Sequence, residues 1–387
     1  MRFIHVADLH IVKVVNDFSM LEDQKFILTQ ITDMAKANQV DAVVIAGDIY
    51  DRSIPPAEAV TLFDSFLNEL SQAEIQVIMI SGNHDSPERI CFGQELLGKQ
   101  GVHIAGVSKD TLKKVIFSEP KCKTEFVLLP FCKPAQMDVR TSEEAVRLLL
   151  ADYWKEQKSI AEEIASKIPV RHVLVTHFFV TDGGKEPELS DSETTIHVGG
   201  LDNVDASVFH GFDYVALGHI HKPQQIGEHP MWYAGSPLKY SFGESGQTKS
   251  ALLVTIDETG LREVEALPLW PLREMRKLKG SLREILEGVF ECGQQDYLQA
   301  ILTDQGELID PIGTIRSKYP NVMQIVREEK GRDVTESAEI KSRVTAKKKG
   351  AMELFEAFYE EVRGEVLSEE RKRIMTDMIK ELEEGRE

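Results

Sequence analysis

Short apolar runs alternate with helical patterns along the first two thirds of the chain. The runs are rich in Val and Ile and end in Gly or in polar residues, as buried strands do. Six runs are predicted as strands on this basis: residues 2–8, 41–48, 75–83, 125–131, 171–177 and 214–219. Helices are predicted between them, at residues 22–37, after Pro56 and at residues 142–167. Two further runs, 231–238 and 250–257, are predicted as strands of a second sheet, so the expected fold class is α/β, a sandwich of two mixed sheets flanked by helices.

The pattern changes near residue 265. Residues 272–330 have the spacing of strand, helix, strand, helix and strand, which predicts a small α+β capping domain. The stretch that follows lacks periodicity and is predicted as a linker. Two amphipathic helices are predicted in the tail beyond it, with apolar faces that either pack on the chain's own core or bind a partner. The predicted domains are 1–268, 269–332, the linker 333–350 and the tail helices 351–387.

Polar side chains that can bind a metal or carry a proton stand at the ends of five predicted strands. They are Asp8 and His10 after the first strand, Asp48 after the second, Asn83 and His84 after the third, His177 at the end of the fifth, and His219 and His221 at the sixth. A single His at a strand end is usually a structural residue. Because strand ends on one edge of an α/β sheet converge on one crevice, five such ends together predict a site.

The chemistry of these residues predicts a pair of divalent ions. Two Asp, one Asn and four His are too many ligands for one ion and fit two if one carboxylate bridges them. Mixed imidazole and carboxylate ligands suit Mn²⁺, Fe²⁺ or Zn²⁺, and the share of oxygen favours Mn²⁺. Paired ions of this kind hold the attacking and leaving oxygens of a phosphoryl displacement. His84 is left as either a further ligand or a proton donor.

The composition of the 387-residue chain is that of an ordinary globular protein of two or three domains, with 42% apolar and 28% charged residues. The four cysteines form no CxxC pair, which argues for a reducing compartment and against a disulfide framework or a thiolate zinc site. No signal peptide is evident, and no apolar run approaches about 18 residues. We therefore expect a cytoplasmic protein that does not span a membrane.

The net charge of −19 argues against tight, purely electrostatic binding of DNA by this chain alone. It does not exclude a nucleic-acid substrate, because a carboxylate site filled with divalent cations is locally far more positive than its sequence. The charge therefore bears on solubility more than on the substrate.

Five sequence blocks resemble the signature of the calcineurin-like metallophosphoesterases: "DLH", "GDIYDR", "GNHD", "VTH" and "GHIH". Longer stretches resemble the SbcD family, the bacterial counterparts of the nuclease subunit in the double-strand-break repair complex. These stretches are "AGDIYDRSIPP", "SGNHDSPER", "GFDYVALGHIHKPQ" and "YAGSPLKYSFGE". The resemblance extends over essentially the whole chain.

The resemblance implies a role for each residue at a matching position. Asp8, His10 and His221 would hold the first ion, Asn83, His177 and His219 the second, and Asp48 would bridge the two. His84 would protonate the leaving oxygen, and Asp51 would orient it. One position departs from the family pattern, since Val12 stands where Gly is usual. A β-branched residue does not readily adopt a positive φ, so we expect either an extended loop here or a different loop backbone with His10 slightly displaced.

The resemblance also implies an activity and partners. The activity would be that of a Mn²⁺-dependent DNA nuclease, a 3′→5′ exonuclease on duplex ends and an endonuclease on single strands or hairpins. A homodimer would join a long coiled-coil ATPase of the SbcC type in a nucleoid-associated heterotetramer, with the tail helices binding that partner. Two alternatives are a small-molecule phosphodiesterase or phosphatase, which would need neither the capping domain nor the tail, and a metal-free scaffold, against which the complete ligand set argues.

Overall fold

The computed structural model describes most of the chain: residues 1–106, 111–163, 168–190, 202–288, 290, 292–306, 308–328, 371, 372 and 375. The chain divides into two compact units, Met1–Arg327 and Glu328–Glu387. Apart from the three isolated positions, the predicted linker 333–350 and the predicted tail helices 351–387 lie outside the described residues. Within the described part, no helix has the length and apolar character that crossing a membrane would require.

Nineteen strands are found in the described part of the chain. In chain order they are β1 (Arg2–Val6), β2 (Val14–Val15), β3 (Phe18–Ser19), β4 (Ala42–Ala46), β5 (Gln76–Ile80), β6 (Val102–Ala105), β7 (Lys113–Ser118), β8 (Lys123–Leu129), β9 (Val170–Thr176), β10 (Phe179–Thr181), β11 (Asn203–Asp205), β12 (Tyr214–Leu217), β13 (Gln224–Gln225), β14 (Met231–Tyr233), β15 (Ser250–Asp257), β16 (Gly260–Pro268), β17 (Met275–Gly280), β18 (Tyr297–Leu302) and β19 (Val322–Arg327). The six predicted strands correspond to β1, β4, β5, β8, β9 and β12. Each ends a few residues before the polar side chains that the apolar run leads into.

Helices lie between the strands. They are α1 (Leu21–Ala37), α2 (Ala57–Gln72), α3 (Pro87–Ile90), α4 (Gln94–Gly98), α5 (Ser142–Glu163), α6 (Leu282–Glu287) and α7 (Pro311–Arg316), with short 3-10 turns at Pro134–Met137, Ala206–Phe209 and Phe242–Gly246. Acidic residues occupy the first turn of α1, where their negative charge interacts favourably with the helix dipole. Proline precedes α2, as predicted, because the rigid ring suits the start of a helix.

Two six-stranded sheets form the centre of the fold. The first has the order β16-β15-β1-β4-β5-β6 and the second the order β13-β14-β12-β9-β8-β7. Their inner faces pack together through fully buried rings: Phe3 of the first sheet contacts Phe126 and Tyr214 of the second edge-to-face, at centroid distances of 5.2 and 5.8 Å. The outer faces pack on α1 and α2 and on α5 respectively. The predicted α/β sandwich of two mixed sheets flanked by helices is confirmed.

The parallel strands place the site. In the first sheet β1, β4 and β5 are adjacent and parallel, and in the second β9 and β12 are adjacent and parallel. The carboxyl ends of neighbouring parallel strands lie at the same edge of a sheet. Three strand ends of one sheet therefore meet two strand ends of the other.

One strand belongs to a different sheet from the one predicted. β15 was expected in the second sheet, but it pairs antiparallel with β1, with Arg2 opposite Thr255 and His5 opposite Leu252, in the first. A buried apolar run fits either sheet equally well, so its composition does not select the partner. β16 escaped prediction because it is an edge strand with one face in solvent, and its sequence is correspondingly charged.

A third, smaller sheet follows the sandwich. β17, β18 and β19 are parallel to one another, and α6 and α7 connect them, so the predicted order of strand, helix, strand, helix and strand is observed. This sheet has its own apolar core around Leu298 and Ile315. We call residues 270–327, which comprise this sheet, its connecting helices and the segment that leads into β17, the capping sheet. The domain boundaries at 268/269 and 332/333 stay predictions.

Candidate metal centre

The five strand ends bring the predicted ligands into one buried cluster. Asp8, His10 and His221 form one set of donors, here called the Asp8 group, whose ligand atoms lie within 4.8 Å of one another. Within it the two imidazole Nε2 atoms are 3.2 Å apart. All three residues are buried. These three residues together could hold a cation.

A second set of donors, the Asn83 group, comprises Asn83, His177 and His219. The Oδ1 atom of Asn83 lies 3.0 Å from His177 Nε2 and 3.0 Å from His219 Nδ1. These residues come from β5 of the first sheet and from β9 and β12 of the second, so the group joins the two sheets. The predicted ligands of the second ion are thus close together, as are those of the first.

Asp48 lies between the two groups. Its Oδ2 atom is 3.4 Å from His177 Nε2 and 3.7 Å from His10 Nε2. Its Oδ1 atom accepts a hydrogen bond of 2.9 Å from the backbone N–H of His84. Asp48 Oδ2 thus lies close to one imidazole of each group, and its role as a bridging ligand stays a prediction.

The electrostatics of the cluster favour added positive charge. Burial raises the pKa of Asp8 to about 6, since its ionised form is poorly solvated there. Burial alone would lower the pKa of His177, but the Asp48 and Asp8 carboxylates outweigh it and raise the pKa to about 9. Burial alone would raise the pKa of Asp48, as it does for Asp8, but the imidazoles around Asp48 hold its pKa below the usual range.

Close approach of the strand ends depends on glycine. A Cβ atom built on Gly218 would lie 2.0 Å from the carbonyl oxygen of Ala46 and 2.7 Å from His177 Nδ1. On Gly82 it would lie 2.1 Å from Asp48 Oδ1. The glycines in the "GNHD" and "GHIH" blocks therefore have a steric role next to the ligands.

The loop after β1 has an unusual backbone. Asp8, His10 and Val12 have φ angles of 54°, 43° and 67°, in the left-handed region. The expectation that Val12 would avoid a positive φ is wrong, because the β-branched residue adopts the conformation that glycine would adopt more easily. Such a conformation costs about 1–3 kcal/mol and persists where surrounding contacts fix it.

Buried polar groups outside the ligand set orient the imidazoles. His177 Nδ1 donates a hydrogen bond of 2.7 Å to the carbonyl oxygen of Ala46, so Nε2 faces the Asn83 group and is the ring atom that would bind an ion once it has lost its proton. His221 Nδ1 lies 3.8 Å from a carboxylate oxygen of buried Glu244, and Lys249 donates 2.8 Å to the His221 carbonyl oxygen. Partners of this kind fix the ring orientation and basicity of metal-binding histidines.

His84 lies at the edge of the cluster. Its side chain is 35% exposed, and its Nε2 atom is 4.0 Å from Asp48 Oδ2. Its Nδ1 atom donates 3.0 Å to the backbone carbonyl oxygen of Asp51, whereas the Asp51 carboxylate accepts from Lys13 at 2.7 Å. The predicted pairing of the Asp51 carboxylate with His84 is thus replaced by a contact with the Asp51 backbone. His84 also forms a possible ligand set with His10 and Asp48, so both interpretations of it are open.

Three buried residues near the site were not predicted from the sequence. Gln24 holds the loop after β1, Glu244 faces His221, and the Tyr240 hydroxyl donates 2.5 Å to the carbonyl oxygen of Leu9. Tyr240 and Glu244 lie in "YAGSPLKYSFGE", a stretch that resembles the SbcD family but indicates no role for either residue. Gln24 lies within an amphipathic helix, where a polar residue ordinarily faces solvent.

Comparison with known proteins establishes the family. A family model for calcineurin-like phosphoesterases matches residues 1–223, more than half of the chain. The chain is a calcineurin-like phosphoesterase. A second model, described as the type 5 capsule protein repressor C-terminal domain and named for SbcD, matches residues 271–363 of the phosphoesterase.

A relative of the phosphoesterase identifies its subfamily. The SbcD subunit of the nuclease SbcCD from Staphylococcus epidermidis is 31% identical over 386 residues, which are 99% of this chain and 98% of the relative. The phosphoesterase therefore belongs to the SbcD family, as its sequence blocks predicted. It is an enzyme of the metal-dependent phosphodiesterase class.

Two solved structures also align with the phosphoesterase. A dimetal phosphatase from Danio rerio covers 70% of this chain and 99% of its own, with 14% identity and a TM-score of 0.39. A protein from Thermus thermophilus covers 69% of this chain and 98% of its own, with 14% identity and a TM-score of 0.39. The family implies a centre of two metal ions, and the donor chemistry of the Asp8 and Asn83 groups fits such a pair.

We predict that Gly218→Ala abolishes the binding of at least one divalent ion. The added methyl group would clash with backbone at Ala46 and with His177, and neither can move without separating the sheets. Metal content of the purified variant, measured by elemental analysis, tests this. Gly246→Ala is the matched control, because open space surrounds that glycine. A Gly218→Ala chain that retains two equivalents of metal would contradict the steric role.

Proposed function

We propose that this phosphoesterase is the Mn²⁺-dependent DNA nuclease subunit of an SbcCD-type repair complex. Its activities would be 3′→5′ exonuclease on duplex ends and endonuclease on single strands or hairpins. The observation that carries the proposal is the pair of complete donor groups joined by Asp48, in a chain that aligns over 99% of its length with a nuclease subunit. The cytoplasmic, nucleoid-associated location expected from the sequence follows from this activity.

Each donor group holds one ion in this proposal. The Asp8 group binds the first ion, the Asn83 group binds the second, and Asp48 is shared. When bound, the ions polarise the phosphodiester and stabilise the attacking and leaving oxygens. The mixed imidazole and oxygen donors favour Mn²⁺ and also accept Zn²⁺, whereas Mg²⁺ prefers an all-oxygen shell.

His84 is the proton donor for the leaving oxygen. With Nδ1 bound to the Asp51 carbonyl oxygen, the ring has a fixed orientation and its Nε2 atom faces the Asp48 side of the centre. Its partial exposure lets a substrate oxygen reach it. General acid assistance by a positioned His is typically worth about 10²–10⁴ in rate.

The alternative activity, on small phosphate esters, has less support. The capping sheet adds a separate folded layer beyond the sandwich, and the SbcD-named family model includes that sheet. A small ester would contact only the metal centre and would have no use for this layer. A metal-free scaffold would need none of the buried histidines that the strand ends place together.

A nuclease assay tests the proposed activity. The full chain, with and without the coiled-coil ATPase partner, is incubated with hairpin and blunt-ended DNA in Mn²⁺, Mg²⁺ or Zn²⁺. We expect cleavage of both substrates, fastest in Mn²⁺, and an effect of the ATPase on the product pattern. Hydrolysis of small phosphate esters without cleavage of either DNA would support the alternative instead.

We predict that His84→Ala keeps both ions and still binds DNA but cleaves it about 10² or more slower. A nitrophenyl phosphodiester has a good leaving group and needs little protonation, so the variant should lose much less activity on it. His177→Ala is the comparison, since loss of a ligand should lower metal content and impair both substrates. Equal impairment of both substrates by His84→Ala, with loss of one ion, would make His84 a ligand.

A homodimer is the proposed assembly of this subunit. Exposed large apolar side chains before α2, on α2 and around α4 support it: Ile54, Val60, Phe92 and Leu96, at 69%, 47%, 84% and 71% exposure. Phe92 and Leu96 are four residues apart. An interface would cover such side chains, and dimers with twofold symmetry are the commonest assembly.

We predict that Phe92→Asp converts the dimer to a monomer, because a charge would be buried in an apolar interface. Light scattering of the purified full chain at several concentrations measures the molecular mass. Ile309→Asp is the matched control, since Ile309 is 94% exposed on the capping sheet and should not affect the dimer. A Phe92→Asp dimer of unchanged affinity would place the interface elsewhere.

A further inference from the structure

The loop that carries His10 is held by one buried side chain of α1. Gln24 is 3% exposed, and its Nε2 atom donates to the carbonyl oxygens of His10 at 2.7 Å and Leu9 at 3.2 Å. Its Oε1 atom accepts 2.8 Å from the backbone N–H of Val12. A single carboxamide therefore satisfies backbone groups on both sides of a ligand.

This support matters because the loop is strained. His10 and Val12 both have positive φ angles, which cost free energy unless neighbouring groups fix them. Gln24 bonds the backbone of both residues. The position of His10 therefore depends on the position of the first turn of α1, where Gln24 lies.

The capping sheet holds the residue next to Gln24. Asp23 is fully buried and accepts hydrogen bonds from the Arg273 guanidinium at 2.7 Å, the Arg273 backbone N–H at 3.1 Å and the Tyr297 hydroxyl at 2.8 Å. Arg273 also donates 2.6 Å to Glu22. Four bonds thus connect the first turn of α1 to the start of β17 and β18.

Two further contacts join the same elements. The side chain of Gln30, two turns along α1, donates 2.6 Å to the carbonyl oxygen of Trp270 and accepts 3.2 Å from its N–H. Phe18, in the hairpin before α1, packs against Tyr297 at 6.1 Å and beneath Arg316 at 5.8 Å. The capping sheet therefore contacts the chain at several points between the loop that carries His10 and Gln30 of α1.

We propose that Arg273 is a positioning residue for the metal centre. It fixes His10 through Asp23 and Gln24, so that a displacement of the capping sheet changes the affinity of the Asp8 group for its ion. The inference rests on the proposed function for the assignment of His10 as a ligand. It adds a physical path by which a macromolecule bound to the capping sheet would control one ion of the pair.

The two donor groups give the proposal a specific signature. The Asn83 group has no bond to Gln24 among the described contacts, and its residues follow β5, β9 and β12 on the other side of Asp48. A loss transmitted through Gln24 should therefore affect one ion and spare the other. General destabilisation of the fold would affect both.

Calorimetric titration of Mn²⁺ into the metal-free full chain tests the proposal. Arg273→Ala should weaken one of two equivalents by about tenfold, the lower end of the usual effect of removing a group that supports a metal ligand. Arg273→Lys keeps the charge near Asp23 but not the forked geometry, so its Mn²⁺ affinity should lie between that of the wild-type chain and that of Arg273→Ala. It replaces Arg273→Ala as the test variant if that variant does not fold. Gln24→Leu should weaken the binding of the same ion. The double variant, Arg273→Ala with Gln24→Leu, should bind that ion no more weakly than Gln24→Leu alone.

Arg276→Ala is the matched control. Arg276 lies in the same sheet and pairs with Asp296 at 2.8 Å, without contact to α1 among the described bonds, so this variant should bind both ions normally. Unchanged affinity of Arg273→Ala and Arg273→Lys for both ions, equal weakening of both ions, or the same loss in Arg276→Ala would overturn the proposal. Wild-type chain that fails to bind two Mn²⁺ would instead refute the proposed function itself.

Discussion

The hydrogen bond from the His177 ring to the carbonyl oxygen of Ala46 is the contact on which the site depends. It connects the end of β9 in the second sheet to the end of β4 in the first. With Nδ1 committed to that bond, Nε2 faces Asn83 and Asp48. Gly218 lies against the same carbonyl group and leaves no room for a methyl group. One backbone oxygen thus contacts both the strand end of the other sheet and the ring nitrogen that fixes the orientation of His177.

The convergence of the candidate ligands could be predicted because strand ends are visible in the sequence. Each apolar run stops where the chain leaves the sheet, and Asp48, Asn83 and His177 follow within three residues of such a stop. Parallel pairing then makes the ends converge, so a one-dimensional pattern indicates a three-dimensional cluster. The fold class followed from the same alternation of strands and helices.

Other features could not be predicted, since they depend on contacts between distant parts of the chain. The sheet to which β15 belongs is decided by pairing with β1, and no local pattern records that partner. Gln24 resembles a surface residue of an amphipathic helix until the loop before it folds back onto the helix. Asp51 contacts His84 through its backbone carbonyl oxygen. Every residue has that group, so the side chain of Asp51 could not indicate this contact.

The position of β1 in the middle of the first sheet has a consequence for synthesis of the chain. β1 lies between β4, made soon after it, and β15, which begins at Ser250. Asp8 accepts hydrogen bonds from the backbone of His219, which is 211 residues away. Domains generally fold as units while the chain emerges from the ribosome. A nascent chain therefore cannot assemble the centre until more than half of its length is available, and a translation product truncated before His219 would lack part of both donor groups.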